Sequence, residues 1–395
     1  MKIEILNNNS LRLAGVRHDY KTIEAKEIDE LVEKFLNTPK GEKKHHFRDK
    51  ITSLTSDIKN SKIKVIQDIN GIKLGVWGGK INTNEVFISF IRTTNSKLSN
   101  TLFNQLINDL INLTISSAKN FLIINNEYLS ELQKEQLESY GFLLKLNQWV
   151  KIVDKGVFNS KDYFDKNVIT SKVLDNNIIT KELLKNEVNY KLQMERLLFP
   201  LKFEDLDIPT YIIPIKPFWA SQLFDYHTEG SLFGTKAELS WNRENVYYRS
   251  VKPVSEKVPA RILWYTSSKT NNQNGRERSI IACSYLESVN IGKPKDLFNK
   301  FKHLGIYEWG DVYRLAKNDI NTDIKALEFS DTEVFKHPVS LQRINEVLQK
   351  NERKKNTFPS PLKVNSKIFN EIYKLGTEDQ INEQNNCLIH KTRIF

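Results

Sequence analysis

The order of helices and strands over the first 155 residues limits this chain to few folds. Apolar residues recur at helical spacing from Lys26 to Asn37, and a second short helix is expected over residues 47–59. Three strand candidates follow between Lys62 and Thr93, the first two separated by the turn-forming pair Asn70-Gly71. A helix, a strand, a helix and a last strand complete the series by Val153. This series predicts an α+β domain with one mixed sheet.

A short motif at the end of the last of these helices narrows the prediction. Tyr140 closes the helix, Gly141 serves as its cap, and Phe142 starts the final strand. Together with the order of the elements, this ending resembles the GNAT acyltransferase fold over about residues 10–155. The resemblance implies a site for acetyl-CoA, in which a glycine-rich turn before a helix binds the pyrophosphate through its backbone amides.

The turn that would hold this pyrophosphate runs from Thr94 to Asn100 and contains no glycine. Side chains in such a turn can block the approach of phosphate oxygens to the backbone. Leu137 stands where the resemblance implies a tyrosine acid, and Tyr140 lies one helical turn later, so Tyr140 is the candidate catalytic residue. The residues that the resemblance assigns to the cofactor are Arg92, Asn95, Ser96, Lys97 and Ser99. Two interpretations stay open: an active acyltransferase with a divergent donor loop, or a scaffold that has lost acetyl-CoA.

A second pattern begins at Pro209, where short strands separated by loops replace the earlier alternation. Tyr211–Ile213 predicts a strand, and Pro214 and Pro217 place it at an edge or end it early because proline has no backbone donor. Lys216 lies where the chain leaves the sheet, a common position for ligand contacts. An amphipathic turn containing Trp219 follows, and the strand pattern continues to about residue 346.

This half resembles the ASCH group of the PUA-like superfamily, whose small barrels bind RNA or modified bases. The resemblance depends on three segments: Ile215-Lys216-Pro217 with Trp219-Ala220, Gly234-Thr235-Lys236, and Tyr247-Tyr248-Arg249. The group's Gly-x-Lys-x-x-Glu-x-Arg run is matched here at Gly234 and Lys236, while apolar residues stand at the positions of the acid and the arginine. Some members hydrolyse an acetylated cytidine. The apolar Leu239, three positions after the lysine, speaks against that activity in this chain.

The charge of the chain favours a polyanionic partner, since lysine and arginine exceed the acids by 11. A nucleic-acid cleft needs cations for phosphates and aromatic faces for bases, and the second half supplies both. Strand alternation places Tyr247 and Arg249 on one face and Tyr248 on the other. The predicted nucleic-acid-binding residues are Lys216, Trp219, Lys236, Tyr247, Arg249, Tyr265 and Ser267. RNA is the partner that the resemblance favours.

Other ligand classes have little support in the sequence. Cys283 and Cys387 are far apart and form no metal-ligand pattern, so no metal is predicted. No apolar run approaches the roughly 18 residues that a membrane span needs. The first ten residues lack the apolar core of a signal peptide, which predicts a cytoplasmic protein without a membrane partner.

The sequence therefore predicts an α+β protein with a GNAT-like mixed sheet, followed by a PUA-like (ASCH) β-barrel with helices. The predicted domains are a GNAT-like domain at 1–155, a helical linker at 156–205, an ASCH/PUA-like barrel at 206–346 and a basic C-terminal helical tail at 347–395. The first functional hypothesis is a nucleic-acid-associated protein whose GNAT-like domain is an acyltransferase of open competence. One alternative is a non-catalytic regulator, such as the protein partner of a toxin or a defence nuclease. The other is an active N-acetyltransferase acting on a protein or a small molecule.

Overall fold

The N-terminal half folds around one mixed sheet of seven strands. The computed structural model of the chain describes residues 17–19, 25–57, 59–67, 72–96, 99–167, 170–185, 187–224, 243–252, 256–267, 278–304 and 306–378. The sheet has the strand order β1-β2-β3-β4-β5-β7-β6, and β4 and β5 form its parallel pair. Its strands are β1 (Arg17–Asp19), β2 (Ser61–Gln67), β3 (Lys73–Ile81), β4 (Glu85–Thr93), β5 (Phe121–Ile124), β6 (Leu143–Lys145) and β7 (Gln148–Ile152).

Helices cover both faces of this sheet because successive side chains of each strand point to opposite sides. On one face, α1 and α2 pack on Val65, Val76 and Phe90. On the other face, α3 and α4 pack on residues that include Trp77 and Ile88. Helix α3 also makes the crossover that the parallel pair β4–β5 requires. The helices of this half are α1 (Ala25–Phe35), α2 (Lys44–Ser56), α3 (Ser99–Ser116) and α4 (Glu131–Ser139).

The predicted order of elements is confirmed, with two additions. The short strand β1 precedes the helices and pairs with β2, and the last predicted strand is one arm of the hairpin β6–β7. The mixed α+β class is therefore correct for this half of the chain.

Three helices and two short strands connect the halves. The strands β8 (Val157–Phe158) and β9 (Lys202–Phe203) pair in parallel, and they enclose α5 (Ser160–Lys166), α6 (Asn176–Leu184) and α7 (Val188–Leu197). The last of these helices, α7, is tied to the C-terminal sheet through Glu195. Its fully buried carboxylate lies 2.5 Å from the guanidinium of Arg261, and Tyr285 donates to it at 2.5 Å. The connecting segment is thus packed into the core of the molecule.

The C-terminal half forms a six-stranded sheet with the order β11-β14-β13-β12-β10-β15. The predicted barrel is not closed, because no pairing joins β11 to β15 among the described residues. The sheet is nevertheless strongly curved: Tyr247 in the edge strand β11 reaches Pro214 in β10 with its hydroxyl at 3.4 Å from the carbonyl oxygen. Its strands are β10 (Thr210–Ile215), β11 (Glu244–Ser250), β12 (Ala260–Thr266), β13 (Ser279–Gly292), β14 (Ile324–Ser340) and β15 (Leu362–Val364).

Both faces of this sheet are also covered. The concave face packs against α8, α9 and α10, and the opposite face packs against α11 and α12. Because β15 pairs with β10, residues beyond 346 contribute a strand as well as a helix to the body of the C-terminal half. The five helices are α8 (Pro217–Phe224), α9 (Pro294–Phe301), α10 (Trp309–Leu315), α11 (Leu341–Lys350) and α12 (Ser366–Thr377).

Candidate functional site

The carboxyl ends of the parallel strands β10 and β12 bring two predicted site residues together. Lys216 follows β10 and is exposed, and α8 begins directly after it with Pro217, where a missing amide donor is tolerated. Ser267 follows β12, and its backbone amide donates to the carbonyl oxygen of Ile215 at 3.1 Å. Its hydroxyl donates to the same oxygen at 3.4 Å. A cationic side chain and a hydroxyl therefore lie side by side at this end of the sheet.

Four aromatic side chains, which we call the aromatic shelf, extend from this point: Trp219, Tyr247, Tyr248 and Tyr307. The rings of Trp219 and Tyr307 have centroids 4.3 Å apart with an interplanar angle of 34°. Tyr248 and Tyr247 pack on Tyr307 with centroids at 5.2 Å and 6.3 Å. The three tyrosines are buried, whereas Trp219 is half-buried and keeps part of its surface in solvent. The shelf thus has one accessible ring supported by a rigid layer beneath it.

Tyr247 and Arg249 lie on one face of β11, as their spacing predicts. Burial raises the pKa of Tyr247 to about 12, against the opposing effect of the nearby Arg249 charge, so the phenol is neutral at physiological pH. The Arg249 side chain is 13% exposed, and its Nη1 lies 3.5 Å from Oε1 of Glu256. Glu256 also pairs with Lys325, which stands opposite Arg249 on β14.

Tyr265 does not contribute to this surface, which corrects one predicted contact. Trp264 faces the shelf, with its ring centroid 5.5 Å from that of Tyr247. Tyr265 packs instead on Phe358 with centroids 4.7 Å apart, in the cluster that α11 and α12 form with the sheet. The predicted contacts at Lys236 and Lys97 lie outside the described residues.

On the N-terminal half, the predicted cofactor residue Arg92 is buried and already bonded. Its Nη2 donates to Glu42 at 3.0 Å, and its Nη1 donates to Asn126. The carbon at the centre of its guanidinium lies 5.5 Å from the ring centroid of Phe47 and 5.2 Å from that of Tyr128. Burial lowers the pKa of Arg92, and the Glu42 carboxylate opposes that shift. Arg92 is therefore part of the core between the helices and the sheet and is not available to a phosphate.

These side chains fill the space between the two parallel strands of the N-terminal sheet. Pairing of β4 with β5 stops at Ile88 and Ile124, and β4 continues to Thr93 paired with β3 only. Beyond that point the carbonyl oxygen of Ile91 accepts from Arg92 Nη1 at 2.9 Å and from Asn126 Nδ2 at 3.2 Å. The backbone of β4 that faces this gap is thus already engaged by side chains of the protein.

The loop between α1 and α2 closes the same gap from outside. Asn37 Nδ2 donates to the carbonyl oxygen of Tyr128 at 3.2 Å, and Lys40 Nζ donates to that of Leu129. Glu42, in the same loop, accepts from Arg92. These contacts join the loop to the segment that follows β5. The described residues therefore do not fit acetyl-CoA in this gap.

The other predicted donor residues lie at the start of α3. Asn95 and Ser96 are exposed, and the Ser99 hydroxyl is hydrogen-bonded to the Thr93 hydroxyl at 2.8 Å. The Ser99 side chain thus fixes the entry to the helix. With no glycine in this turn, side chains can hinder the approach of a pyrophosphate to the backbone amides.

Tyr140, the predicted catalytic residue, lies at the contact between the two halves. It is 6% exposed, and the Arg243 guanidinium lies 5.5 Å from the centre of its ring. Burial raises the pKa of Tyr140 well above its usual value, although Arg243 opposes the shift. The phenol is therefore a packing residue at this contact, and the structure does not place it where it could give a proton to a substrate.

The same contact contains further buried charged groups, of which Lys151 is one that sequence reasoning did not single out as functional. Lys151 in β7 is fully buried and donates to the carbonyl oxygen of Leu197 at 3.0 Å. Arg243 forms two bonds with the buried Asp331, at 2.6 Å and 2.9 Å. Sequence reasoning also missed Tyr307 and Glu256, because each joins the site from a distant segment that carries no motif.

The described part of the chain contains no group of three or more histidine, cysteine, aspartate or glutamate residues arranged to hold a metal ion. None of its helices is both long and apolar enough to cross a bilayer.

Parts of the chain are similar to solved structures of two kinds. The ASCH protein of Zymomonas mobilis is 14% identical over 42% of this chain and 96% of its own, with a TM-score of 0.31. The PaiA N-acetyltransferase of Thermoplasma acidophilum, in complex with coenzyme A, is 6% identical over 34% of this chain and 96% of its own, with a TM-score of 0.29. A GNAT family acetyltransferase of Elizabethkingia anophelis with acetyl-CoA bound is 14% identical over 33% of this chain and 76% of its own, with a TM-score of 0.25.

No family model matches the sequence, and no curated protein matches it. Each match spans only part of the chain.

Proposed function

We propose that the protein binds RNA, including RNA that carries a modified base, through the surface formed by Lys216, Trp219, Ser267 and Arg249. The observation that carries this proposal is the half-buried Trp219 ring, which is held at 4.3 Å on buried Tyr307 next to the exposed Lys216. A fixed aromatic ring is a platform for an unstacked base, and a neighbouring ammonium group attracts the phosphate that follows it.

Rigidity of the platform supports the same function. A side chain that is already immobilised by packing loses little conformational entropy when a base stacks on it. Tyr307 is wedged between Trp219 and Tyr248, so the shelf has little freedom to rearrange. The Ser267 hydroxyl adds one hydrogen-bonding group at the edge of the shelf. The surface therefore combines stacking, charge and polar contact, which single-stranded nucleic acid requires.

The N-terminal half acts in this proposal as a scaffold. Arg92, Asn126 and Glu42 fill the gap between β4 and β5, and the loop carrying Asn37 and Lys40 closes it. The alternative, in which this half transfers an acyl group from acetyl-CoA to RNA, a protein or a small molecule, requires that these contacts open. A non-catalytic regulator with a protein partner is the remaining alternative.

Binding of single-stranded RNA by the full-length chain tests the proposal directly. We expect Trp219→Leu to weaken binding of a uridine or adenosine oligomer at every salt concentration, by about 1–3 kcal/mol, and Trp219→Phe to retain most of the affinity. Lys216→Gln should weaken binding. It should also reduce the slope of log affinity against log salt concentration by about one, because one fewer counterion is released. The matched control is Lys134→Gln on α4, which removes a surface charge on the other half. Equal affinity of Trp219→Leu and the unaltered protein would contradict the proposal.

Calorimetry with acetyl-CoA distinguishes the scaffold from the transferase. We expect no saturable heat at millimolar acetyl-CoA. Saturable binding would contradict the scaffold interpretation and favour the acyltransferase. If neither RNA nor acetyl-CoA binds, the regulator becomes the preferred function, and co-purification of a protein partner is its test.

A further inference from the structure

Three polar residues, which we call the strand-end row, lie where β10 and β12 end and β13 begins: Lys216, Ser267 and Arg278. Backbone hydrogen bonds join them. The Ser267 amide donates to the carbonyl oxygen of Ile215 at 3.1 Å, and Lys216 follows Ile215 directly. The Arg278 amide donates to the carbonyl oxygen of Thr266, the last residue of β12, at 2.8 Å. The row therefore crosses three neighbouring strands of the C-terminal sheet, with a cation at each end.

The register of the strands gives the spacing of this row. Ile215 is paired with Thr266, and Thr266 is paired with Ser279, the first residue of β13. Neighbouring strands lie about 4.8 Å apart, so the main chains at Lys216 and Arg278 are roughly 10 Å apart. Lysine and arginine side chains are both long, so the two charges belong to one continuous surface at this end of the sheet.

The two cations of the row are open to a ligand. Lys216 and Arg278 are exposed, and neither forms an ion pair with a described residue. Burial raises the pKa of Tyr265, and hydrogen bonding and charge from the Arg278 guanidinium oppose that shift, so the phenol lies close to the guanidinium. Tyr265 is itself held on Phe358. Because a guanidinium has five N–H donors, a contact with one phenol leaves most of them for another partner.

The row meets the aromatic shelf at Lys216. The Ala220 amide donates to the carbonyl oxygen of Lys216 at 3.0 Å, which closes the first turn of α8 around Trp219. The row therefore starts within one helical turn of the ring that is proposed to hold a base, and it leads away from that ring across the strand ends.

We infer that Arg278 binds the phosphodiester backbone of the RNA strand whose base stacks on Trp219, so that the strand passes Lys216 and crosses the ends of β10 and β12. This inference rests on the function proposed above. Phosphate is the group that the row fits, because it carries the charge that two unpaired cations attract and it recurs along the strand whatever the bases are. Arginine suits the far end of the row, since its planar fork donates two N–H groups to one phosphate.

Binding of a fluorescent adenosine decamer to the full-length protein, measured by anisotropy over a range of salt concentrations, tests this inference. We expect Arg278→Gln to weaken binding about tenfold at low salt, the size of one charge-assisted contact. The slope of log affinity against log salt concentration should become shallower by about one in this variant. Arg278→Lys should keep the slope because it keeps the charge, and it should lose part of the affinity together with the planar fork.

Arg353→Gln is the matched control, because Arg353 is also an exposed arginine without an ion pair in the described part of the chain and lies between α11 and β15. Since the Arg278 side chain is exposed, its variants should keep the fold. If Arg278→Gln binds as tightly as Arg353→Gln, or binds more weakly with an unchanged slope, Arg278 does not bind phosphate. Binding that is still weakened by Trp219→Leu would then leave the proposed function standing. If the unaltered protein does not bind the decamer, the proposed function and this inference fail together.

Discussion

Lys151 illustrates how burial of a single residue sets a pH dependence for the fold. Burial lowers the pKa of this lysine from 10.5 to about 7, although Asp331 opposes the shift. At pH values between about 7 and 10.5, Lys151 is protonated in the unfolded chain and neutral in the folded chain. The free energy of unfolding therefore rises with pH in this range. In Lys151→Met we expect this rise to disappear from urea unfolding measured between pH 6 and pH 10. The slope removed is at most about 1.4 kcal/mol per pH unit.

Lys151→Met should raise the free energy of unfolding most near pH 6, where the unaltered folded protein must bury a charged ammonium. This increase should vanish towards pH 10. Lys34→Met, at an exposed position on α1, is the matched control and should leave the profile unchanged. An unchanged slope in Lys151→Met would show that the lysine keeps its proton in the folded state.

Gly141 is the second residue whose local geometry has a consequence for stability. Its φ is +80°, and a Cβ atom there would lie 2.6 Å from the carbonyl oxygen of Leu197. We expect Gly141→Ala to lower the free energy of unfolding by more than the about 1–2 kcal/mol that the left-handed backbone alone costs, because the clash adds to it. The matched control is Gly310→Ala in α10, where a Cβ meets nothing within 4 Å. Urea unfolding should show no loss for Gly310→Ala, and equal losses in both variants would refute the argument.

At the scale of elements, the pair between Glu195 and Arg261 joins α7 to the C-terminal sheet. Both side chains are almost fully buried, and Glu195 also accepts from the Tyr285 hydroxyl and the Phe203 amide at 2.5 Å. Glu195→Gln leaves Arg261 as a buried unpaired cation, so we expect a loss of about 3–5 kcal/mol in chemical denaturation. Replacing both residues by methionine should cost less than Glu195→Gln alone, because no unpaired charge then remains. A loss under about 1 kcal/mol for Glu195→Gln would mean that the pair does not hold α7.

Local patterns in the sequence were sufficient to predict much of the element order. The alternation of helix and strand over the N-terminal half was predicted because each element buries one periodic face, and the side-by-side placement of Tyr247 and Arg249 followed from the strand period. The open edge of the C-terminal sheet and the pairing of β15 with β10 depend on contacts between distant segments. Tyr265 was misplaced for the same reason, since the face on which a strand residue lies is fixed by which helices cover the sheet. Arg92 could not be identified as a core residue because its partners Glu42 and Asn126 are remote in the sequence.

At the scale of the whole molecule, the two halves share a charged contact that should make them unfold together. Arg243 pairs with Asp331 on the C-terminal sheet and lies over the ring of Tyr140 on the N-terminal half. Arg196 in α7 reaches Glu287 at 2.9 Å nearby. In differential scanning calorimetry we therefore expect one transition for the unaltered protein. Two separated transitions would contradict this coupling of the halves.

Arg243→Gln should weaken this contact in a pH-dependent way. Burial favours the neutral form of Asp331, but Arg243 overrides that effect and holds the pKa of the carboxyl below its usual value. A carboxyl whose pKa is lowered on folding contributes stability above its unfolded pKa near 3.8 and loses it as the pH falls through the folded value. The difference in melting temperature between Arg243→Gln and the unaltered protein should thus be large at pH 7 and smaller at pH 4, where Asp331 in the variant takes up a proton. Arg343→Gln on α11 is the matched control and should leave the melting temperature unchanged at both pH values. If the difference between Arg243→Gln and the unaltered protein is the same at both pH values, Arg243 acts through packing on Tyr140 alone.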